Sequence, residues 1–179
     1  MPQANRDLLA LDQDLRLSPF IAEATTARYK RAVLPLELIA TLAAGLFTGA
    51  SIYINLVEHP ARMGCGTAAA LAEWAPSYKR ATVMQASLGA VGFLSAVGAW
   101  ILRAGTLWLL GGVLFGLVIP FTLIVIFPTN RKLLSPSLNS EYSAARALLN
   151  RWNRLHAVRS VLGFASFVVF LLALIRILQ

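Results

Sequence analysis

The sequence predicts an all-α integral membrane protein, a bundle of four spanning helices. Three observations carry this reading. Hydrophobic residues make up 58% of the chain and charged residues only 13%, too few charges to cover the surface of a soluble domain of this length. The apolar residues are gathered into four blocks, about 33–57, 81–102, 106–127 and 156–178. Each block approaches or exceeds the roughly 20 residues needed to cross a bilayer core. No succession of short alternating segments, the signature of a transmembrane barrel, is present.

Residues 1–31 form an N-terminal polar and amphipathic extension, and residues 32–179 form the transmembrane domain. The extension interleaves Arg6, Asp7, Asp12, Asp14, Arg16 and Glu23 with Leu8, Leu9, Leu11, Leu15 and Leu17. It reads as a short interfacial helix or a loosely ordered tail. No small-residue cleavage pattern follows the first span, so that span is not an ordinary signal peptide. Pro35 suits an early helical turn, where a missing N–H is tolerated. Pro60 is expected to end the first helix, leaving 58–78 as a loop. Gly45 and Gly49 in the first span, Gly89, Gly92, Ser95 and Gly98 in the second, and Gly112 and Gly116 in the third offer small faces for close helix packing in lipid.

Pro120 lies inside the third span, with Gly116 four residues earlier, which predicts a modest kink there. Pro128 and Asn130 in "FPTNRKL" are expected to terminate that span. A helix capped by Asn139 or Ser140 then runs along the membrane surface, an interfacial helix before the last span. No internal repeat is found. The single cysteine, Cys65, rules out an intramolecular disulfide and a cysteine-based metal cluster.

Net charge is +8, but the basic residues cluster at span ends, where they meet lipid headgroups. No basic stripe interleaved with aromatics suggests nucleic acid. Nine Lys and Arg fall on the side where the first span ends and seven on the other. Arg28, Lys30 and Arg31 sit just before the first span, so the charge count leaves orientation open.

Counting spans places the polar residues. The first span ends, the second begins, the third ends and the fourth begins on one membrane face. Glu58, His59, Arg62, Tyr78, Gln85, Asn130, Asn153, His156 and Arg159 therefore lie at or beneath that face. Tyr78, Thr82 and Gln85 make one helical stripe, and Trp152, His156 and Arg159 another with Asn153 beside it. Facing inward, these stripes would enclose a polar pocket roofed by 58–78. Trp74, Tyr78 and Trp152 read either as interfacial anchors or as its wall. Gln85 and Arg159 need partners in lipid, and Glu58 is the nearest carboxylate for Arg62 or Arg159.

"GLFTGASIYINLVEHPAR", "WAPSYKRATVMQASL", "PFTLIVIFPTN" and "LLNRWNRLHAVRS", in this order and spacing, resemble the anthrone-oxygenase-like family of small four-helix membrane proteins across about residues 38–175. The resemblance singles out Asn55, Glu58, Pro60, Arg62, Trp74, Gln85, Pro128, Thr129, Asn130, Trp152, His156 and Arg159. The N-terminal extension departs from the family pattern. Fungal members oxidise an anthrone methylene to a quinone carbonyl with molecular oxygen, and the resemblance implies no conventional cofactor.

Three function classes follow. The first is an oxygenase acting on a lipophilic phenolic or polyketide-like molecule. In it His156 or Glu58 removes a proton beside a ketone, while Arg159, Asn130 or Gln85 stabilises the enolate oxygen. Asn55, His59, Arg62, Tyr78, Gln85, Asn130, Trp152 and Asn153 would then contact substrate. The second class gives His59, His156 and Glu58 to a metal or haem, although no attachment signature or close ligand spacing is present. The third is a non-enzymatic scaffold or small-molecule binder. The expected partners are the bilayer, a lipophilic small molecule and molecular oxygen, with self-association left open. The expected location is the bacterial inner membrane.

Overall fold

The computed structural model describes residues 31–102, 104–135, 138 and 142–178. Most of the extension, the caps Asn139 and Ser140, and Arg103 lie outside the described residues. The chain divides into two compact units, Met1–Pro35 and Leu36–Gln179. The second unit holds the packed helices and the polar residues between them.

Four helices are long and apolar enough to cross a membrane: α1 (Arg31–Gly64), α2 (Thr67–Ile101), α3 (Thr106–Leu133) and α4 (Tyr142–Leu178). A multi-pass membrane protein is the consequence. Their outward faces are covered by Leu42, Leu46, Leu56, Val83, Leu94, Ile124 and Val161, each more than 60% exposed, as lipid requires and water would not tolerate. At 35 residues α2 is roughly 50 Å long, against a hydrocarbon core of about 30 Å. The surplus in α1, α2 and α4 projects at the face where the polar residues lie.

Small residues and phenylalanines interlock inside. An added Cβ at Gly111 would sit 2.4 Å from Phe170, at Gly92 2.4 Å from Phe115, and at Gly116 2.8 Å from Phe93. Phe170 cannot yield cheaply: it is fully buried and stacks on Trp108 with ring centroids 5.3 Å apart. Beside it Ser166 Oγ donates to the Gly111 carbonyl at 2.7 Å. Gly111→Ala is therefore expected to lower stability by about 1–3 kcal/mol through overpacking, read as a lower thermal midpoint in detergent. Gly49 and Gly89 do not pack in this way, since a Cβ there would meet nothing within 4 Å.

Two expectations about helix ends are corrected. Segment 58–78 is not a loop: α1 continues to Gly64, and α2 starts at Thr67 after a turn at Gly66, whose φ of 90° favours glycine. Neither Pro60 nor Pro128 stops its helix. Each follows a five-residue π-helical stretch, Ile54–Glu58 in α1 and Thr122–Ile126 in α3. There His59 N–H bonds to Ile54 O and Phe127 N–H to Thr122 O, five residues back. The wider turn moves backbone carbonyls out of the proline ring's way, so the helix resumes on the far side. The break expected near Pro120 falls at Leu117, between helical segments ending at Gly116 and starting at Val118. The interfacial segment before the last span is helical from Tyr142 and runs into that span as one 37-residue helix.

The two halves share some local features. A π-stretch ends two residues before a proline in both α1 and α3. Trp74 stacks on Tyr78 in α2 with centroids 4.9 Å apart, and Trp152 stacks on His156 in α4 at 4.8 Å. The two tryptophans meet edge to face at 5.7 Å.

Candidate functional site

The site is built where these paired elements converge. Within the π-stretch of α1, Asn55 reaches α4. Its Nδ2 donates to the Asn153 carbonyl at 3.0 Å and to Asn153 Oδ1 at 2.7 Å. Its Oδ1 accepts from Ser160 Oγ at 2.6 Å and faces His156 Nδ1 at 2.9 Å. The Asn153 carbonyl can only accept, so Nδ2 must face it and Oδ1 must face the histidine. His156 Nδ1 therefore carries the proton, and in the neutral ring Nε2 keeps its lone pair. The single Ser160 O–H is shared between Asn55 Oδ1 and the His156 carbonyl, 3.1 Å away. The imidazole is held by Asn55 on one edge and by the Trp152 ring on its face.

A second group ties α1 to α2. Glu58 Oε1 accepts from Arg62 Nη2 and, at 2.8 Å, from Ser77 Oγ. Arg62 Nε lies 2.7 Å from Glu73 Oε2. Arg62 is 6% exposed, and this buried cation is met by a half-buried carboxylate, Glu58, and an exposed one, Glu73. Glu58 is thus engaged by an arginine and a serine, which lowers its fitness as a base relative to His156.

Between these groups lies a cavity with about 20 Å³ open to a water-sized molecule. Side chains thread it so closely that a water-sized molecule is the largest that fits without movement. The catalytic candidates His156, Glu58 and Arg159 all line it, as do Arg62, Tyr78, Gln85, Asn130 and Trp152. Asn55, Asn153 and His59 stand behind that lining. His59 is buried with its ring 5.8 Å from Trp152, so the two histidines meet through the tryptophan that separates them. Trp74 and Trp152 are buried, at 0% and 5% exposure, and form wall rather than anchors.

Several lining groups have no protein partner. Gln85 Nε2, Asn130 Oδ1, Trp74 Nε1 and Arg159 Nε are all buried and unbonded. Arg159 has no carboxylate among the described residues and rests over the Phe47 ring, 5.1 Å from its centroid. The three donors call for water or a ligand oxygen, and the Asn130 oxygen for a donor. Glu58, His59 and His156 are not gathered as a metal-ligand set. Among the described residues no three His, Cys, Asp or Glu side chains are.

Sequence reasoning missed Ser160, Ser77 and Glu73. Ser160 stands one turn after His156, a spacing that would have flagged it. Ser77 and Glu73 fall in the segment expected to be a loop, where helical spacing has no meaning.

A family model described as anthrone oxygenase matches residues 74–169, more than half of the chain. The matched stretch carries Trp74, Gln85, Asn130, Trp152, His156 and Arg159, while Asn55 and Glu58 lie upstream of it. Neither a curated protein nor a solved structure matches.

Proposed function

The chain belongs to the anthrone oxygenase family, and from that premise we propose that it oxidises the methylene of a lipophilic, enolisable phenolic ketone to a carbonyl with molecular oxygen. The observation that carries this reading is the Asn55–His156 pair. It fixes the proton on Nδ1 and leaves the Nε2 lone pair free on a ring that lines a cavity with unbonded polar groups.

In this mechanism His156 Nε2 removes a proton from the methylene beside the aromatic ketone system. Arg159 and the Gln85 amide face the oxygen on which the enolate charge settles. The resonance-stabilised carbanion gives one electron to oxygen, and the two radicals combine into a C–O bond. The resulting peroxide takes back the proton from His156. Loss of the second C–H proton then breaks the O–O bond, leaving the carbonyl and releasing water. One oxygen molecule takes four electrons from one carbon, so no outside reductant is needed. Glu58, Arg62 and Glu73 hold the α1 and α2 ends closed above the reacting centre.

Helical spans and a lipophilic substrate fit a bacterial inner membrane, which we propose as the setting. The test is labelled oxygen supplied to protein in nanodiscs with anthrone. Expected are one molecule of oxygen consumed per anthrone, and one labelled atom in the quinone carbonyl with the other in water. Uptake no faster than in empty nanodiscs would refute the activity.

A further inference from the structure

We propose that the groove between α2 and α3 is a membrane-side docking site that admits and holds the apolar body of the substrate, with only its ionisable oxygen reaching the cavity floor. The inference deepens the oxygenase reading and rests on it for the ligand class.

The buried cavity is too narrow to take a fused-ring ketone. A second space, with about 130 Å³ open to a water-sized molecule, adjoins it and shares Thr82, Gln85, Thr122 and Arg159 with its lining. Apart from those four, its walls are Phe47, Ala86, Gly89, Val118, Ile119 and Leu123, all without polar side-chain atoms. Leu123 is 61% and Ile119 39% exposed at the outer surface of the bundle, so the groove opens toward lipid. Its α3 wall spans the break at Leu117, Pro120 and the start of the π-stretch. That wall lacks a continuous ladder of helical hydrogen bonds and is the part of α3 most able to yield.

Gly89 leaves space that a Cβ would not fill, and Gln85 Nε2 is buried and unbonded between the two spaces. A planar hydrophobe with an acidic enol or phenol oxygen meets both demands: ring against the apolar walls, oxygen on Gln85 and Arg159. The larger groove beside the cavity, between α1 and α2, sets Glu58, Glu73 and Arg80 among Tyr53, Ile54, Pro76 and Met84. An apolar ring there would desolvate two carboxylates, a cost the α2–α3 groove does not impose.

The experiment uses the full chain in nanodiscs with 1-hydroxyanthraquinone, which carries the ring and phenol but no oxidisable methylene. Trp100→Phe removes an exposed tryptophan, and quenching of the remaining fluorescence reads binding independently of turnover. Saturable quenching is expected, with the apparent Kd raised about tenfold or more by Gly89→Phe. Leu123→Phe, which narrows the same groove from an exposed position without adding a tryptophan, is expected to act alike should Gly89→Phe fail to fold. Gly49→Phe, the equivalent enlargement in the α1–α2 groove, is expected to change it less than about twofold. No saturable quenching, or a larger effect from Gly49→Phe, would overturn the proposal. Quenching blocked by the α2–α3 variants without any oxygen uptake would keep the docking site and refute the oxygenase. Uptake unaltered by those variants would keep the oxygenase and refute the docking site.

Discussion

His156→Gln is expected to lower oxygen-dependent turnover by about 10²–10⁴-fold, the range that a positioned general base contributes, while the bundle stays folded. Glutamine keeps a polar side chain whose amide matches the Nε2 position, and His156→Asn, whose amide N–H matches Nδ1, is the companion that keeps the donor toward Asn55 Oδ1. What disappears is the base at Nε2 and the ring stacked on Trp152 at 4.8 Å. Steady-state oxygen uptake with anthrone, beside a thermal midpoint for each protein, separates the two effects. Undiminished uptake would move the role of base to Glu58, despite its bonds to Arg62 and Ser77.

Asn55→Leu is the second substitution with a large expected effect. Leucine fills a similar volume but removes every bond by which the Asn55 side chain holds this stretch of α4. Ser160 keeps its bond to the His156 carbonyl. Among the described residues, His156 Nδ1 and the Asn153 side chain lose the side-chain partners they have. Two buried polar groups left unmet cost about 1–3 kcal/mol each. A loss of about 2–4 kcal/mol is expected, tempered because Asn153 is only half-buried. Turnover should fall as well, since nothing then fixes which imidazole nitrogen carries the proton. Asn55→Asp keeps an acceptor for His156 and Ser160 but sets a carboxylate against the Asn153 carbonyl. It should therefore restore neither stability nor full activity. Unfolding midpoints and uptake rates measured on the same preparations check both statements.

The spans could be read from the sequence because lipid imposes long apolar runs on any helix that crosses it. The gathering of Glu58, Gln85, Asn130, His156 and Arg159 on one face followed from counting those spans. Helix ends were less legible. Pro60 and Pro128 are helix stops by local rules, and the π-stretches that accommodate them depend on packing between helices rather than on local composition. Reading 58–78 as a loop hid Glu73 and Ser77, whose partners become visible only once both helices are drawn to their ends. The local features shared by the two halves were also obscured. Trp74 with Tyr78 and Trp152 with His156 repeat a spacing of four, but Tyr differs from His and the residues around each pair are dissimilar. Whether a side chain reaches the cavity or stands behind it, as with Tyr78 against Asn55, depends on the turn a π-stretch adds. Plain 3.6-residue periodicity does not supply that turn.

Two glycines show how function can hide behind packing rules. Gly49 and Gly89 belong to the small-residue pattern expected to bring helices together. In the structure each borders an open groove instead. Gly111 and Gly116 in α3 pack closely, because Phe170 and Phe93 fill the space beside them.

Anaerobic exchange of deuterium into the methylene of anthrone tests proton removal by His156 most directly, because it isolates that step from oxygen chemistry and product release. Protein in nanodiscs is incubated with anthrone in heavy water without oxygen, and incorporation is followed by mass spectrometry. The expected result is exchange about a hundredfold faster than in empty nanodiscs, falling to the empty-nanodisc rate for His156→Gln. Exchange at the empty-nanodisc rate with the wild-type protein, or equally fast exchange with both proteins, would contradict a catalytic base at His156.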